Sequence, residues 1–178
     1  MASDWRIIQS ELLFQNHWIA LYEDKVEVRT GNITHYTWYK SSDVAIIVPF
    51  LNKDTLVMIR QYRYPLRKVL LEFPAGHIED DEDSEKTARR ELLEETGYHA
   101  KEIEEVYTYN PSVNISKQII HVFRAKDLIE GEYKHDSVED IRKIEIVAVE
   151  ELKHMIIEGK VENAGTLIGY LLCCAGIS

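Results

Sequence analysis

Along the first forty residues apolar and polar positions alternate in short runs, and a helical period appears only later. Residues 18–22, 25–30 and 33–40 read as short strands, with Gly31-Asn32 as a hairpin turn between the last two. Residues 44–51 form a nearly continuous apolar run, as expected of a strand covered on both faces. Asn52-Lys53-Asp54 makes a turn, 55–62 returns as a second strand, and 70–73 is a short strand ending at Pro74-Ala75-Gly76. An acidic loop at 79–83 leads into a predicted helix over 84–96, with Ser84 or Asp83 as its cap and Gly97 as the residue that ends it. Further strands are predicted at 102–109, 118–125 and 143–147. Two helices follow, over 149–158 and 164–174, with Gly159 between them. The mixture predicts an α/β (α+β mixed) domain and leaves its connectivity open.

The bulk properties narrow the class. With 178 residues, 45% hydrophobic and 29% charged, the chain has enough apolar material for a proper core. A formal charge of −10 argues against general nucleic-acid binding, which rewards clustered Lys and Arg. No apolar run reaches the roughly 20 residues that span a bilayer, so no membrane partner is expected. The opening MASDWRIIQSELLF lacks a basic stretch followed by a continuous apolar run, so no secretion signal is expected and the predicted setting is cytoplasmic. Cys173 and Cys174 are adjacent and sit in an apolar run; they read as small buried hydrophobes, not as a disulfide framework.

One segment stands apart chemically. GHIEDDEDSEKTARRELLEETGY, residues 76–98, concentrates carboxylates. At about 100° per residue, Glu91 and Glu95 fall about 40° apart and Glu94 about 60° to the other side of Glu91. The opposite flank, Ala88 and Leu92, can face a core, while Arg90 relieves only part of the repulsion. Such a cluster is either a solvated acidic face or a site for divalent cations, for which hard oxygen donors favour Mg²⁺, Mn²⁺ or Ca²⁺. The run before it is basic: Arg60, Arg63, Arg67 and Lys68. Basic groups near a metal-filled acidic cluster could grip a phosphate-rich ligand.

The same segment resembles the signature of the Nudix hydrolases: Gly76, five residues, Glu82, seven residues, Arg90-Glu91-Leu92, one residue, Glu94-Glu95, one residue, Gly97. A chance match is below about one in a million. Tyr98 stands where an aliphatic residue is usual. The stretches RQYRYPLRKVLLEFPAG before the box and SVEDIRKIEIVAVEELKHMIIEGKVENAGTL after it are similar to the ADP-ribose pyrophosphatase branch.

The resemblance implies an α/β/α sandwich with a mixed sheet and a loop-helix-loop catalytic motif over 43–178, preceded by a strand-rich segment, 1–42, that forms a homodimer. It implies Mg²⁺ (or Mn²⁺) held by Glu91 and Glu95, with Glu94 and the carbonyl of Ala75 assisting. Glu82 and Arg90 would brace the loop, and Gly76 and Gly97 would serve the backbone. Glu139 takes the place of a water-orienting base, with Asp140 and Asp136 as alternatives. Arg63, Arg60, Glu72, Pro111 and Trp18 become candidate substrate contacts, Trp18 by stacking on an adenine. The implied reaction is hydrolysis of ADP-ribose to AMP and ribose 5-phosphate. The Tyr109-Asn110-Pro111-Ser112 loop departs from the branch's pattern, so another nucleotide sugar, a dinucleotide or a non-catalytic nucleotide-binding role stays open.

Overall fold

The computed structural model describes residues 5–131 and 140–176. The chain divides into two compact units: Met1–Asp43 with Tyr109–Ile119, and Val44–Thr108 with Ile120–Ser178.

In the first unit, β1 (Arg6–Gln15), β2 (Ile19–Glu27) and β3 (Ile33–Ser41) form an antiparallel sheet with β2 in the centre. The two strands expected at 18–22 and 25–30 are one continuous strand. The turn between β2 and β3 closes where Gly31 N donates to Val28 O at 2.8 Å and Val28 N to Asn32 O at 2.9 Å. Asp24 is buried in this sheet and accepts a hydrogen bond from Trp38 Nε1 at 2.8 Å. Tyr22 stacks on the Trp38 ring, and the Lys117 ammonium lies 4.6 Å from its centroid. Segment 109–119 joins this unit by hydrogen bonds that no local pattern announces: Tyr39 N to Ile115 O at 2.9 Å and Ile119 N to Asp43 Oδ1 at 2.7 Å.

The second unit is built on β4 (Val44–Asn52), β5 (Thr55–Arg63), β6 (Lys68–Glu72), β7 (Ala75–His77), β8 (Tyr98–Tyr109), β9 (Ile120–Glu130) and β10 (Ile141–Ala148). The sheet runs β10-β5-β4-β9-β8, with β6 paired to β5 and β7 to β4. It is mixed: β4 pairs parallel with β9 and antiparallel with β5 and β7. The apolar run of β4 explains the layering, because successive side chains point to opposite faces. Ala45 and Ile47 pack with Ala88 and Leu92 of α1 (Ser84–Thr96) and with Phe123 and Ala125 of β9. Ile46 and Val48 face the other way, against α3 (Ala164–Cys173), where Gly165 and Gly169 let the helix approach them. A helix on each face of a mixed sheet is the expected sandwich.

Caps set the limits of α1. Asp83 Oδ1 accepts from Lys86 N at 2.8 Å, and Gly97, at φ 75°, turns its N–H back to Leu93 O. That left-handed conformation costs glycine nothing and would strain a side-chain-bearing residue. α2 (Val149–Ile157) follows β10, and Asn163 caps α3 through Thr166 N. Cys173 and Cys174 are free thiols, half-buried instead of fully enclosed. Burial pushes both pKa values up, that of Cys174 to about 12. Among the described residues no helix is long and apolar enough to cross a membrane.

Candidate active site

Three elements build the acidic site: the short strand β7, the loop 78–83 and α1. The helical stripe that α1 turns inward carries Thr87, Ala88, Glu91, Leu92, Glu95 and Thr96. Two glutamates therefore share the core-facing side with Ala88 and Leu92. Glu91 is 7% exposed and Glu95 1%, so neither lies on a solvated acidic face. Burying a carboxylate is costly unless hydrogen bonds or a cation compensate it. Glu95 Oε2 accepts from the Ala75 backbone N at 2.8 Å, which ties α1 to β7. Glu91 lies across Gly76. A Cβ at Gly76 would fall 1.7 Å from Glu91 Oε1 and 2.0 Å from its Cδ. Only glycine leaves the carboxylate its place.

Arg90 is the hub of the site. Its Nε donates to Glu82 Oε1 at 3.1 Å and its Nη2 to Glu82 Oε2 at 3.0 Å. Its Nη1 donates to Glu91 Oε1 at 2.8 Å and to Glu94 Oε2 at 3.0 Å, and Nη2 reaches His77 O at 3.4 Å. The hydrogen bond from Arg90 is the main cause that holds the Glu82 carboxyl below its ordinary range, against a partial desolvation. Desolvation works against the Arg90 charge, but Glu82, Glu91 and Glu94 outweigh it and raise the guanidinium pKa. Glu82 takes one further donor, the hydroxyl of buried Thr87 at 2.8 Å. Thr87 was not singled out in the sequence. The available signal was its place four residues before Glu91, on the same stripe.

Among the described residues, no three His, Cys, Asp or Glu side chains already converge as a metal cage. Glu91 and Glu94 are turned onto Arg90 instead. The donor chemistry nonetheless fits a hard divalent cation: carboxylates from adjacent turns of one helix, two of them buried, beside a glycine whose missing side chain leaves room. Glu139 lies outside the described residues, as do Asp136 and the residues between them.

The basic candidates do not converge. Arg60 and Arg63 are three positions apart on β5 and so point to opposite faces. Arg63 grips the buried Glu72, with Nη2 to Oε2 at 2.6 Å and Nε to Oε1 at 3.1 Å. Arg60 lies 3.1 Å from Glu145 on β10, which also meets Lys143. Trp18 and Pro111 belong to the other unit. Trp18 sits in the β1–β2 turn, where Asn16 Oδ1 accepts its backbone N–H at 2.8 Å, and its ring is edge-on to His17. Pro111 opens the turn at 111–115.

A family model described as NUDIX domain matches residues 41–167. An ADP-ribose pyrophosphatase from Bacillus subtilis (strain 168) is 32% identical over 150 residues, covering 83% of this chain and 81% of that protein. A methanol dehydrogenase activator from Bacillus methanolicus is 32% identical over 165 residues, covering 92% and 89%. A solved structure described as an ADP compounds hydrolase superposes with a TM-score of 0.85 at 19% identity, covering 95% of this chain and 91% of that one.

Proposed function

The chain belongs to the Nudix family of hydrolases, and from that premise we propose that it cleaves the pyrophosphate bond of ADP-ribose, giving AMP and ribose 5-phosphate with Mg²⁺ as cofactor and Mn²⁺ as a substitute. The observation that carries this reading is the burial of Glu91 and Glu95 against β7. Two buried carboxylates on one helical stripe make chemical sense where a cation balances them. Glu91, Glu95 and Glu94 are the proposed ligands, joined by the carbonyl of Ala75. A bound divalent cation supplies positive charge to the phosphates and lowers the pKa of water for attack on phosphorus.

The chain's own residues do the positioning. Arg90 neutralises the carboxylates and holds Glu91 and Glu94 in fixed rotamers through Nη1. Glu82 anchors Arg90 from the loop side. Arg63, oriented by its fork on Glu72, is the proposed phosphate contact, with Arg60 and Pro111 as further proposed substrate contacts. Trp18, 59% exposed, offers a face for an adenine ring. Glu139 is the proposed base.

Turnover of a panel with Mg²⁺ tests the substrate: ADP-ribose, a GDP-sugar, NADH and a deoxynucleoside triphosphate, each with and without EDTA. Preferred cleavage of ADP-ribose that EDTA abolishes is expected. Negligible ADP-ribose cleavage beside efficient use of another member would overturn the substrate assignment, and full activity in EDTA would overturn the metal.

We also propose that the strand-rich N-terminal segment makes the protein a homodimer in the cytoplasm. All ten residues of β1 are exposed, and they include Ile7, Ile8, Leu12, Leu13 and Phe14. A strand this apolar is rarely left against water. Sedimentation should give twice the mass of the 20.8 kDa chain, and Leu12→Glu with Phe14→Glu should shift it toward monomer. A monomer at micromolar wild-type protein would refute the dimer, and cell fractionation tests the compartment.

A further inference from the structure

The motif leaves seven positions open between Glu82 and Arg90, and one of them, Thr87, is fully buried with its hydroxyl on the Glu82 carboxylate. A buried threonine inside a helix ordinarily turns its hydroxyl back to the carbonyl four residues earlier. Thr96 of the same helix does so, onto Leu92 O, whereas Thr87 Oγ1 donates to Glu82 Oε2 at 2.8 Å while its backbone N–H makes the ordinary helical bond to Asp83 O at 3.1 Å.

Glu82 comes from the loop, where its own N–H closes a turn onto Glu79 O at 3.1 Å. The carboxylate must stay fixed if it is to orient Arg90, since the planar guanidinium has one fork on Glu82 and its other arm on Glu91 and Glu94. A rotation of the Glu82 carboxylate would swing that plane and move Nη1 off both glutamates. Arg90 alone cannot prevent this, because it would turn with its partner. A second donor, rigidly mounted on the helix, can.

Resting on the metal-site reading above, we propose that Thr87 is a positioning residue: its hydroxyl locks the Glu82 carboxylate, so that Arg90 presents Glu91 and Glu94 to the divalent cation in one arrangement. The hydroxyl is also among the groups that favour the ionised form of Glu82. A β-branched side chain suits the task because its χ1 freedom is small.

Three variants separate the hydroxyl from packing. Thr87→Val replaces it with a methyl of equal size; Thr87→Ser and Thr87→Ala differ from each other by the hydroxyl alone. Three readouts apply: solvent exchange of the Arg90 Nε–H proton by NMR, binding of Mn²⁺ alone by equilibrium titration, and kcat and KM for ADP-ribose with Mg²⁺. For Val and Ala the expectation is faster Nε–H exchange, weaker Mn²⁺ binding, and kcat lowered by about tenfold with KM within about twofold, the scale of lost support behind a metal ligand. Ser should restore all of these toward wild type. Wild-type exchange and Mn²⁺ affinity in both Val and Ala would overturn the proposal, and so would a Ser variant as impaired as Ala. If Val fails to fold, the Ser–Ala pair decides. If the wild type hydrolyses no nucleoside diphosphate while the exchange and Mn²⁺ readouts respond as stated, the functional reading fails and the positioning role stands.

Discussion

Gly76→Ala separates the needs of folding from those of chemistry. The added Cβ would lie 1.7 Å from Glu91 Oε1, 2.0 Å from Cδ and 2.6 Å from Cγ. Van der Waals contact requires about 3.5 Å, so the carboxylate must retreat by about 1.5–2 Å. The atoms in the way are the far end of a flexible side chain, and the Gly76 backbone is not in the left-handed region. The fold can therefore yield. Alanine restricts the unfolded chain and adds back about 0.4–1 kcal/mol. Losing the Arg90–Glu91 hydrogen bond costs about 1.5–3 kcal/mol, for a net destabilisation of about 1–2 kcal/mol. At this chain length, that lowers Tm by about 2–8 °C.

Turnover should respond differently. Displacing a catalytic group by about 1 Å can cost about a hundredfold, so kcat should fall by about that factor or more while the protein remains folded. Thermal unfolding and release of AMP from ADP-ribose under saturating Mg²⁺ measure the two quantities. The double variant with Glu91→Gln supplies the control, since substitutions that act through one carboxylate should not add. A Gly76→Ala enzyme within about threefold of wild-type kcat would refute the reasoning, as would a double variant whose losses multiply.

Other expectations follow from the same contacts. Glu95→Gln keeps an oxygen for the Ala75 N–H and removes a buried charge, so Tm should hold or rise while kcat falls by about a hundredfold or more; near-wild-type kcat would count against the metal site. Glu82 titrates below its ordinary 4.5, so its stabilising contribution is complete above that pH and lost as pH falls through the lower folded value. The urea midpoint gap between wild type and Glu82→Gln should accordingly close only below pH 4.5, and a gap of constant size into strong acid would contradict this. Burial and the neighbouring Cys173 push the Cys174 thiol up to about 12, leaving a thiolate fraction of about 10⁻⁴ at pH 8. That is about a thousandfold below an ordinary thiol, and the greater nucleophilicity of a more basic thiolate recovers only part of it. By peptide mapping, Cys174 should therefore react with iodoacetamide tens of times more slowly in native than in urea-unfolded protein, and equal rates would exclude this thiol environment.

Where the determinants of an element are local, the sequence announced it. The limits of α1 follow from Asp83 and Gly97, and the two-sided burial of β4 follows from its unbroken apolar run. β1 escaped notice because RIIQSELLFQ has no period of two: its register on β2 slips between Ile7 and Gln9 and again between Leu12 and Phe14, and all its positions are exposed. β7 is three residues long and looks like a turn until β4 pairs with it. Segment 109–119 joins the N-terminal unit through partners some 76 positions away, such as Asp43 for Ile119, and no window along the chain contains both.

The site divides the same way, and the division bears on what the motif encodes. Helical geometry places Glu91, Glu94 and Glu95 together, and at about 100° per residue it also sets Glu95 about 20° from Ala88 and about 60° from Leu92, so these two do not form an opposite flank. The structure turns Glu91 and Glu95 inward with those residues. What allows it lies on other elements: the Ala75 N–H on β7 accommodates Glu95, the absent side chain of Gly76 accommodates Glu91, and Glu82 in the loop fixes Arg90. The spacing from Gly76 through Glu82 to Arg90-Glu91 thus records how a strand, a loop and a helix must meet for carboxylates to be buried. Gly76 removes a clash, Arg90 held by Glu82 balances the charge, and the Ala75 N–H beside Gly76 supplies the donor. A helix with the same glutamates but no such strand and loop would expose them to water, where they would repel one another and bind cations weakly.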